Sequence, residues 1–238
     1  EMSVLVCGAG IAGLACRLAF KKLGVRVDMV ELAPVIAKPE NEEPVILTPN
    51  GTRMLAALGL NDLISKSQKL DSLSIYSSRD GNMISSANFN DLSKVDGAHE
   101  FPAIALSSTE LIKAMFKAGN PDDGTASNVR MAAGVTSISA VPPHGVAVQF
   151  SAASMPARQY DLVVGADGVG SAVRTLLVGA PVASSSGAIH IGYPGWGYWH
   201  AVVDLPSPPP ELVDPRGLVE LWGGGRRLVT FPMPGGRT

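Results

Sequence analysis

The residues best able to do chemistry stand at the start of the chain. Gly8-Ala9-Gly10-Ile11-Ala12-Gly13 follows a short apolar run, Ser3–Cys7, and opens a segment with helical spacing of apolar residues. In such a turn the first glycine permits a tight bend. The second lets backbone approach a pyrophosphate, and the third allows close helix–strand packing. The helix N-terminus then offers free N–H groups and the positive end of its dipole to phosphate. Glu31 ends the next apolar run, where a carboxylate can accept hydrogen bonds from ribose hydroxyls. The plainer alternative is a glycine turn of purely structural use with Glu31 as a surface charge.

A second constellation is Asp161-Leu162-Val163-Val164-Gly165-Ala166-Asp167-Gly168, followed by Ser171 and Arg174. It reads as a strand running into a side-chain-poor turn that leaves Asp167 at a strand's carboxyl end, where open α/β sheets bind ligands. Asp167 capping a helix, with Arg174 paired to a carboxylate, is the alternative. A third group, Tyr193, Trp196, Tyr198, Trp199 and His200, sits within one strand-like run. A phenolic ring could stack there beside His200 as proton acceptor; an aromatic strand packed on a core would look the same.

The elements that must position these residues follow from periodicity. The spacing predicts a buried strand over Ser3–Cys7, a helix over 11–23 closed by Gly24, and a strand over 25–30. Arg17, Lys21 and Lys22 suit a solvated helix face. A polar, proline-rich connection covers 33–49, and a helix 51–59. Strands at 73–77 and 83–87 flank an Asp80-Gly81 hairpin turn. A strand at 103–106 leads into a helix with a Ser107/Glu110 capping box that stops near Gly119. Then come a surface loop at 120–128 and a β-meander over 129–150. A buried-type strand at 161–164 and a helix at 171–177 follow. Beyond a linker at 183–187 lie β-like runs at 188–205, 218–222 and 228–231.

Composition excludes several classes. The chain has 238 residues, 46% hydrophobic and 17% charged, with a net charge of −2. That is globular, and without a Lys/Arg stripe nucleic acid is not an expected partner. No apolar run is long enough for a transmembrane helix, and no secretory signal is visible. Cys7 and Cys16 read as reduced thiols, which suits a cytoplasmic location. His99, His144, His190 and His200 lack ligand-like spacing, so no metal site is expected. The oligomeric state is not readable.

Taken together, these motifs resemble the class A flavin-dependent monooxygenases, the salicylate and para-hydroxybenzoate hydroxylase family. The run Asp161–Gly168 through Ser171-Ala172-Val173-Arg174 is similar to that family's DG motif. Leu47-Thr48-Pro49-Asn50-Gly51 with Arg53 and 55–60, and Gly224-Gly225-Arg226-Arg227, resemble family segments. The resemblance implies an α/β fold, a Rossmann-like FAD-binding βαβ domain interleaved with a β-rich substrate domain. The segments would be 1–72 (FAD-binding βαβ part), 73–102 (hairpin of the substrate domain), 103–180 (return to the FAD-binding domain with the DG motif) and 181–238 (β-rich substrate domain). It implies that Gly8, Gly10, Ile11, Ala12, Gly13 and Glu31 hold the ADP part of FAD, with Asp167 and Gly168 near the flavin. Tyr193, Trp196 and Tyr198 would contact substrate, and His200 would be the catalytic candidate. NAD(P)H and O2 would be co-substrates in hydroxylating an aromatic or similarly electron-rich small molecule.

Three features depart from the family pattern. Glu42-Glu43-Pro44 replaces a small, glycine-rich run near the flavin. Ser107-Ser108 stands where a helix normally opens with an FAD-contacting Arg. Members also continue past Thr238 into a second Gly-Asp motif absent here, so the chain reads as a fragment with impaired activity of its own. Two other readings fit less of the pattern: a non-catalytic dinucleotide-binding module or pseudoenzyme, and an NAD(P)-dependent dehydrogenase.

Overall fold

The computed structural model describes residues 2–37, 43–92, 101–120, 128–179, 192, 195–204, 213–235 and 237. The elements begin with β1 (Ser3–Cys7), α1 (Ile11–Lys22), β2 (Arg26–Val30), β3 (Pro44–Leu47), α2 (Pro49–Ala57), α3 (Asn61–Lys66) and β4 (Gln68–Leu70). Next are β5 (Ser72–Ser77), β6 (Met83–Asn88), α4 (Phe89–Leu92), β7 (Ala103–Ser107), α5 (Ser108–Gly119) and β8 (Val129–Arg130). The rest are β9 (Val135–Ala140), β10 (Val146–Phe150), β11 (Arg158–Tyr160), β12 (Leu162–Gly165), α6 (Ala172–Val178), β13 (Gly217–Gly223) and β14 (Arg226–Thr230).

The chain forms two compact units, residues 1–38 with 112–198, and 39–111 with 199–238. These units are drawn differently from the segments expected from sequence, because β3 and β4 both pair with β7 in the second unit. The fold is α/β, as expected.

In the first unit a parallel sheet runs in the order β12-β1-β2-β8. Its central strand has no polar position after Ser3: Val4, Leu5 and Val6 are wholly buried, as a strand covered on both faces must be. Each such side chain contributes roughly 1.5–3 kcal/mol of burial. The edge strand β12 differs from its expected buried character, since Leu162 is exposed. An antiparallel meander, β9-β10-β11, completes the unit. The meander does not begin at Val129 as the composition suggested. β8 instead pairs with β2, and the two-residue strand is the third member of the parallel sheet. A shared core joins Leu5, Cys7 and Val30 of the sheet to Val135, Val148 and Tyr160 of the meander.

Helix α1 ends as predicted, with Gly24 at φ +73° and the Val25 N–H bonded back to the Phe20 carbonyl. Its basic residues are not all solvated. Arg17 is buried, donating from Nη2 to Asn120 Oδ1 at 3.0 Å, and burial pushes its pKa down. Lys21 Nζ donates to the Gly119 carbonyl at 2.6 Å. Both cations therefore meet the carboxyl end of α5, where the helix dipole favours positive charge.

In the second unit, β3-β7-β4 is an antiparallel sheet and β14-β13-β5-β6 a mixed one. The expected 33–49 connection thus contains a strand, β3, whose partner β7 is distant in sequence. The hairpin at Asp80-Gly81 forms, with Gly81 at φ +72°. Ser107 Oγ accepts the Glu110 N–H at 3.4 Å, one half of the capping box. Ile46, Leu70, Leu73, Ala103, Ala105, Phe231 and Met233 form the core between the two sheets. The long β-like run at 188–205 is not formed in its described part. Residues 195–203 make no strand, and Asp204 makes only an isolated bridge to Arg237. Their apolar side chains have no paired neighbouring backbone to hold them extended. The expected loop at 121–127 and linker at 183–187 lie outside the described residues.

Candidate functional site

The turn between β1 and α1 is shaped by what glycine lacks. Gly8 has φ +101°, and a Cβ there would lie 2.4 Å from the Ala166 carbonyl oxygen. A Cβ on Gly13 would lie 1.9 Å from the Gly8 carbonyl oxygen, so the first helical turn packs directly on the loop. At Gly10 a Cβ would meet nothing within 4 Å. The middle glycine therefore presents bare backbone to open space. Gly10 is also the N-cap of α1, without a side-chain cap and without an acidic residue in the first turn. The N–H groups of Ile11, Ala12 and Gly13 are left for an outside acceptor.

Glu31 is tied into the same turn. Its Oε2 accepts the Ala9 N–H at 2.6 Å and its Oε1 the Ala33 N–H at 2.7 Å. The two bonds fix the carboxylate beside the glycine loop.

The second turn lies alongside. β12 pairs with β1 from Val4↔Leu162 to Cys7↔Gly165, and the Ala166 N–H bonds to the Cys7 carbonyl. That register brings Ala166 and Asp167 against Gly8. Ser171 caps α6, its Oγ accepting the Arg174 N–H at 3.0 Å, and Asp167 supports that cap: Oδ1 accepts the Ser171 hydroxyl at 2.5 Å and Oδ2 the Val173 N–H at 3.1 Å. Gly168 has φ +77° and open space at its Cβ position, as has Gly170. Arg174 pairs with no carboxylate among the described residues. It donates to the carbonyls of Gly168 and Val169, and its Nε is buried without a partner.

Both turns border one cavity of about 350 Å³. Gly8, Gly10, Glu31, Asp167 and Gly168 line it, with Cys7, Leu32, Ala133, Gly134, Val135, Ala166, Gly170 and Ala172 among the others. The Ala133–Val135 wall was not foreseen; its only trace is a small-residue run before β9. Ala132 there holds φ +52°, uncommon for a residue with a Cβ. Cys7 is neutral at physiological pH: burial first, and the Asp167 charge second, push its thiol up to about 12. No cluster of His, Cys, Asp and Glu among the described residues could hold a metal.

The aromatic group is elsewhere. Trp196, Tyr198 and His200 are exposed and none lines the cavity; Tyr193 lies outside the described residues. Of the departures, Glu42 also lies outside them. Glu43 donates its N–H to Ser108 Oγ at 3.1 Å and accepts the Ser108 N–H on its carbonyl at 2.8 Å. The serine pair therefore serves the β3–β7 junction.

A glycine turn at a helix N-terminus, an acidic strand end and a second bare turn around one cavity have the layout of an α/β dinucleotide fold. No protein-family model matches the chain. Curated relatives do. A 3-amino-4-hydroxybenzoate 2-monooxygenase of Streptomyces cremeus is 28% identical over 100% of this chain and 55% of its own length. An FAD-dependent urate hydroxylase of Klebsiella pneumoniae is 26% identical over 99% and 56%. Among solved structures, a Klebsiella pneumoniae HpxO variant complexed with FAD superposes with a TM-score of 0.76 at 24% identity, over 100% of this chain and 55% of that one. The chain spans about half the length of these relatives. The chain is thus similar in sequence to FAD-dependent hydroxylases and monooxygenases, and it shares the fold of the HpxO complex.

Proposed function

We propose that this chain carries the FAD-binding region and part of the substrate region of a monooxygenase that hydroxylates an aromatic or similarly electron-rich small molecule. One observation carries the reading. Two backbone turns bare of side chains, and a carboxylate fixed at the end of β2, border the same cavity. Phosphate needs N–H donors and close backbone approach, and a ribose needs a rigid acceptor; the cavity offers both. The residues therefore fit the ADP part of FAD. The N–H groups of Ile11, Ala12 and Gly13 would receive the diphosphate, Glu31 the ribose hydroxyls, and Asp167-Gly168 would border the remainder.

When bound, FAD would supply the transfer of electrons from NAD(P)H to O2 that hydroxylation needs. The protein's part is positioning. Glu31, held by its two backbone N–H donors, would offer its remaining lone pairs to the ribose hydroxyls, and Asp167 holds its turn through Ser171 and the Val173 N–H. Cys7 keeps its proton and adds no charge to the cavity. Tyr193, Trp196, Tyr198 and His200 remain the proposed substrate contacts and proton acceptor. The free thiols of Cys7 and Cys16 suit a cytoplasmic setting.

Titration with FAD, followed by flavin fluorescence and the visible spectrum, tests the reading. Saturable binding that Glu31→Ala weakens about ten- to a hundredfold is expected. Equal binding by parent and variant would overturn the assignment of Glu31. One observation favours a non-catalytic binding module instead: Ser107 and Ser108 are spent on the helix cap and the β3–β7 junction, with no cation there for a flavin nucleotide. Binding of FAD without NAD(P)H oxidation by any longer form would support it. The dehydrogenase alternative is disfavoured because β2's next parallel neighbour, β8, comes only at Val129, after three intervening antiparallel pairings.

A further inference from the structure

Helix α1 carries a buried cation whose hydrogen bonds do not account for it. Arg17 is only 2% exposed, yet it pairs with no carboxylate among the described residues. Its Nη2 donates to the neutral Asn120 Oδ1 at 3.0 Å, while Nε and Nη1 are buried without a partner among those residues. Asn120 is itself held, donating from Nδ2 to the Phe116 carbonyl at 2.8 Å. Gly119 leaves room for the guanidinium, since a Cβ there would lie 2.2 Å from Arg17 Nη1. Lys21, one turn further along α1, reaches the Gly119 carbonyl.

Burying an incompletely bonded guanidinium is costly, and an apolar side chain of similar length would fill the same space without that cost. Burial lowers the Arg17 pKa, but a guanidinium starts so high that it stays charged. Lys21 already ties α1 to the carboxyl end of α5. What Arg17 adds is a permanent positive charge inside the first unit. It follows Gly13 by one turn on the same side of α1. The charge therefore stands roughly 5–10 Å from the helix N-terminus, and helical side chains lean toward that end. Over about 10 Å of protein interior, where salt screens little, one charge changes the affinity for a singly charged anion roughly tenfold.

We propose that Arg17 is a positioning residue for the diphosphate: a buried charge that acts through α1 and strengthens its N-terminus as an anion site without touching the ligand. This rests on the FAD reading, in which the N–H groups of Ile11, Ala12 and Gly13 receive the diphosphate and no cation takes part. The charge is of the kind that Ser107 and Ser108 cannot provide. If Arg17 only rivets α1 to α5, its loss lowers stability and weakens every ligand alike.

The test uses the full chain, with ADP, adenosine and FAD titrated by calorimetry. Adenosine offers the nucleoside without the phosphates. Arg17→Met keeps the apolar stem and removes the charge. It should weaken ADP and FAD about tenfold and leave adenosine within about twofold. Its urea midpoint should be no lower than the parent's, because a buried charge without a counter-ion is gone. Arg17→Lys should bring ADP back to within about threefold of the parent. Gly119→Ala displaces the guanidinium and keeps its charge, so the ratio of ADP to adenosine affinity should stay within about twofold. Arg17→Gln is measured beside Arg17→Met, and whichever retains the parent's far-UV circular dichroism decides. Equal weakening of ADP and adenosine, or no rescue by lysine, overturns the proposal. A parent that binds FAD and ADP, with the same preference for ADP over adenosine in the neutral variants, sinks the role of Arg17 alone. A parent that binds neither FAD nor ADP sinks the flavoprotein reading and the proposal with it.

Discussion

The cavity of the first unit and the buried Glu220 of the second, with Trp222 and Arg227 beside it, are built by different means. The cavity works with backbone: glycines at 8, 10, 168 and 170 line it, with the carboxylates of Glu31 and Asp167 fixed at its border by hydrogen bonds. The group around Glu220 works with side chains brought together by strand register, Trp222 opposite Arg227 and Glu220 two residues along. A backbone site suits a constant cofactor moiety, because it tolerates no change in the turn.

The sharpest way to break this comparison is to put side chains into the turn. Gly13→Val should destabilise the protein by about 3 kcal/mol or more, read as a lower urea midpoint, because its Cβ would strike the Gly8 backbone. Gly10→Val should leave the midpoint within about 1 kcal/mol and still weaken FAD at least about tenfold, since it fills only open space. If both variants behaved alike, the distinction between a packing glycine and a ligand-facing one would fall.

A smaller effect is expected from Asp167→Ala, which removes the acceptor for the Val173 N–H and for the hydroxyl of the Ser171 cap at the start of α6. A loss of about 0.5–2 kcal/mol in chemical denaturation should follow, with Asp167→Asn retaining part of it. Equal stability of all three proteins would show that the turn is held by Arg174 alone.

Two buried acids make the first unit sensitive to alkali. The Cys7 thiol is raised from 9.0 to about 12, chiefly by burial. The Tyr160 phenol is raised from 10.0 to about 12 by burial and by its hydrogen bond to Asp28. For both, the folded state holds its proton more tightly than the unfolded one. Their contribution is complete below pH 9 and is lost as pH rises through 12. The urea midpoint should fall between pH 9 and 11, and Cys7→Ala should flatten that fall. A midpoint independent of pH in that window would contradict the burial of both groups.

The smallest effect is expected at His200. Because it is exposed and does not line the cavity, His200→Ala should change stability by less than about 0.5 kcal/mol and leave FAD affinity unaltered. A large loss of FAD binding would show that the aromatic stretch reaches the cofactor.

Sequence alone determined the backbone site. The Gly8–Gly13 spacing, the acidic end of β2 and the glycines flanking Asp167 are local demands, each met by residues within one turn of chain, so they can be read in order. The same holds for the Gly24 and Ser107 helix boundaries and the Asp80-Gly81 hairpin. What depends on pairing between distant segments was decided only in three dimensions. The run at 188–205 has β-forming residues, yet its described part finds no partner and stays irregular. Val129 and Arg130 were read with the following meander but join β2, because a parallel neighbour lay there with free backbone groups. Arg227 lies in a segment legible in the sequence, but its grouping with Glu220 and Trp222 carries no motif in one dimension. Strand register sets which side chains share a face, and a shift of one residue would have turned Glu220 to the other side of the sheet.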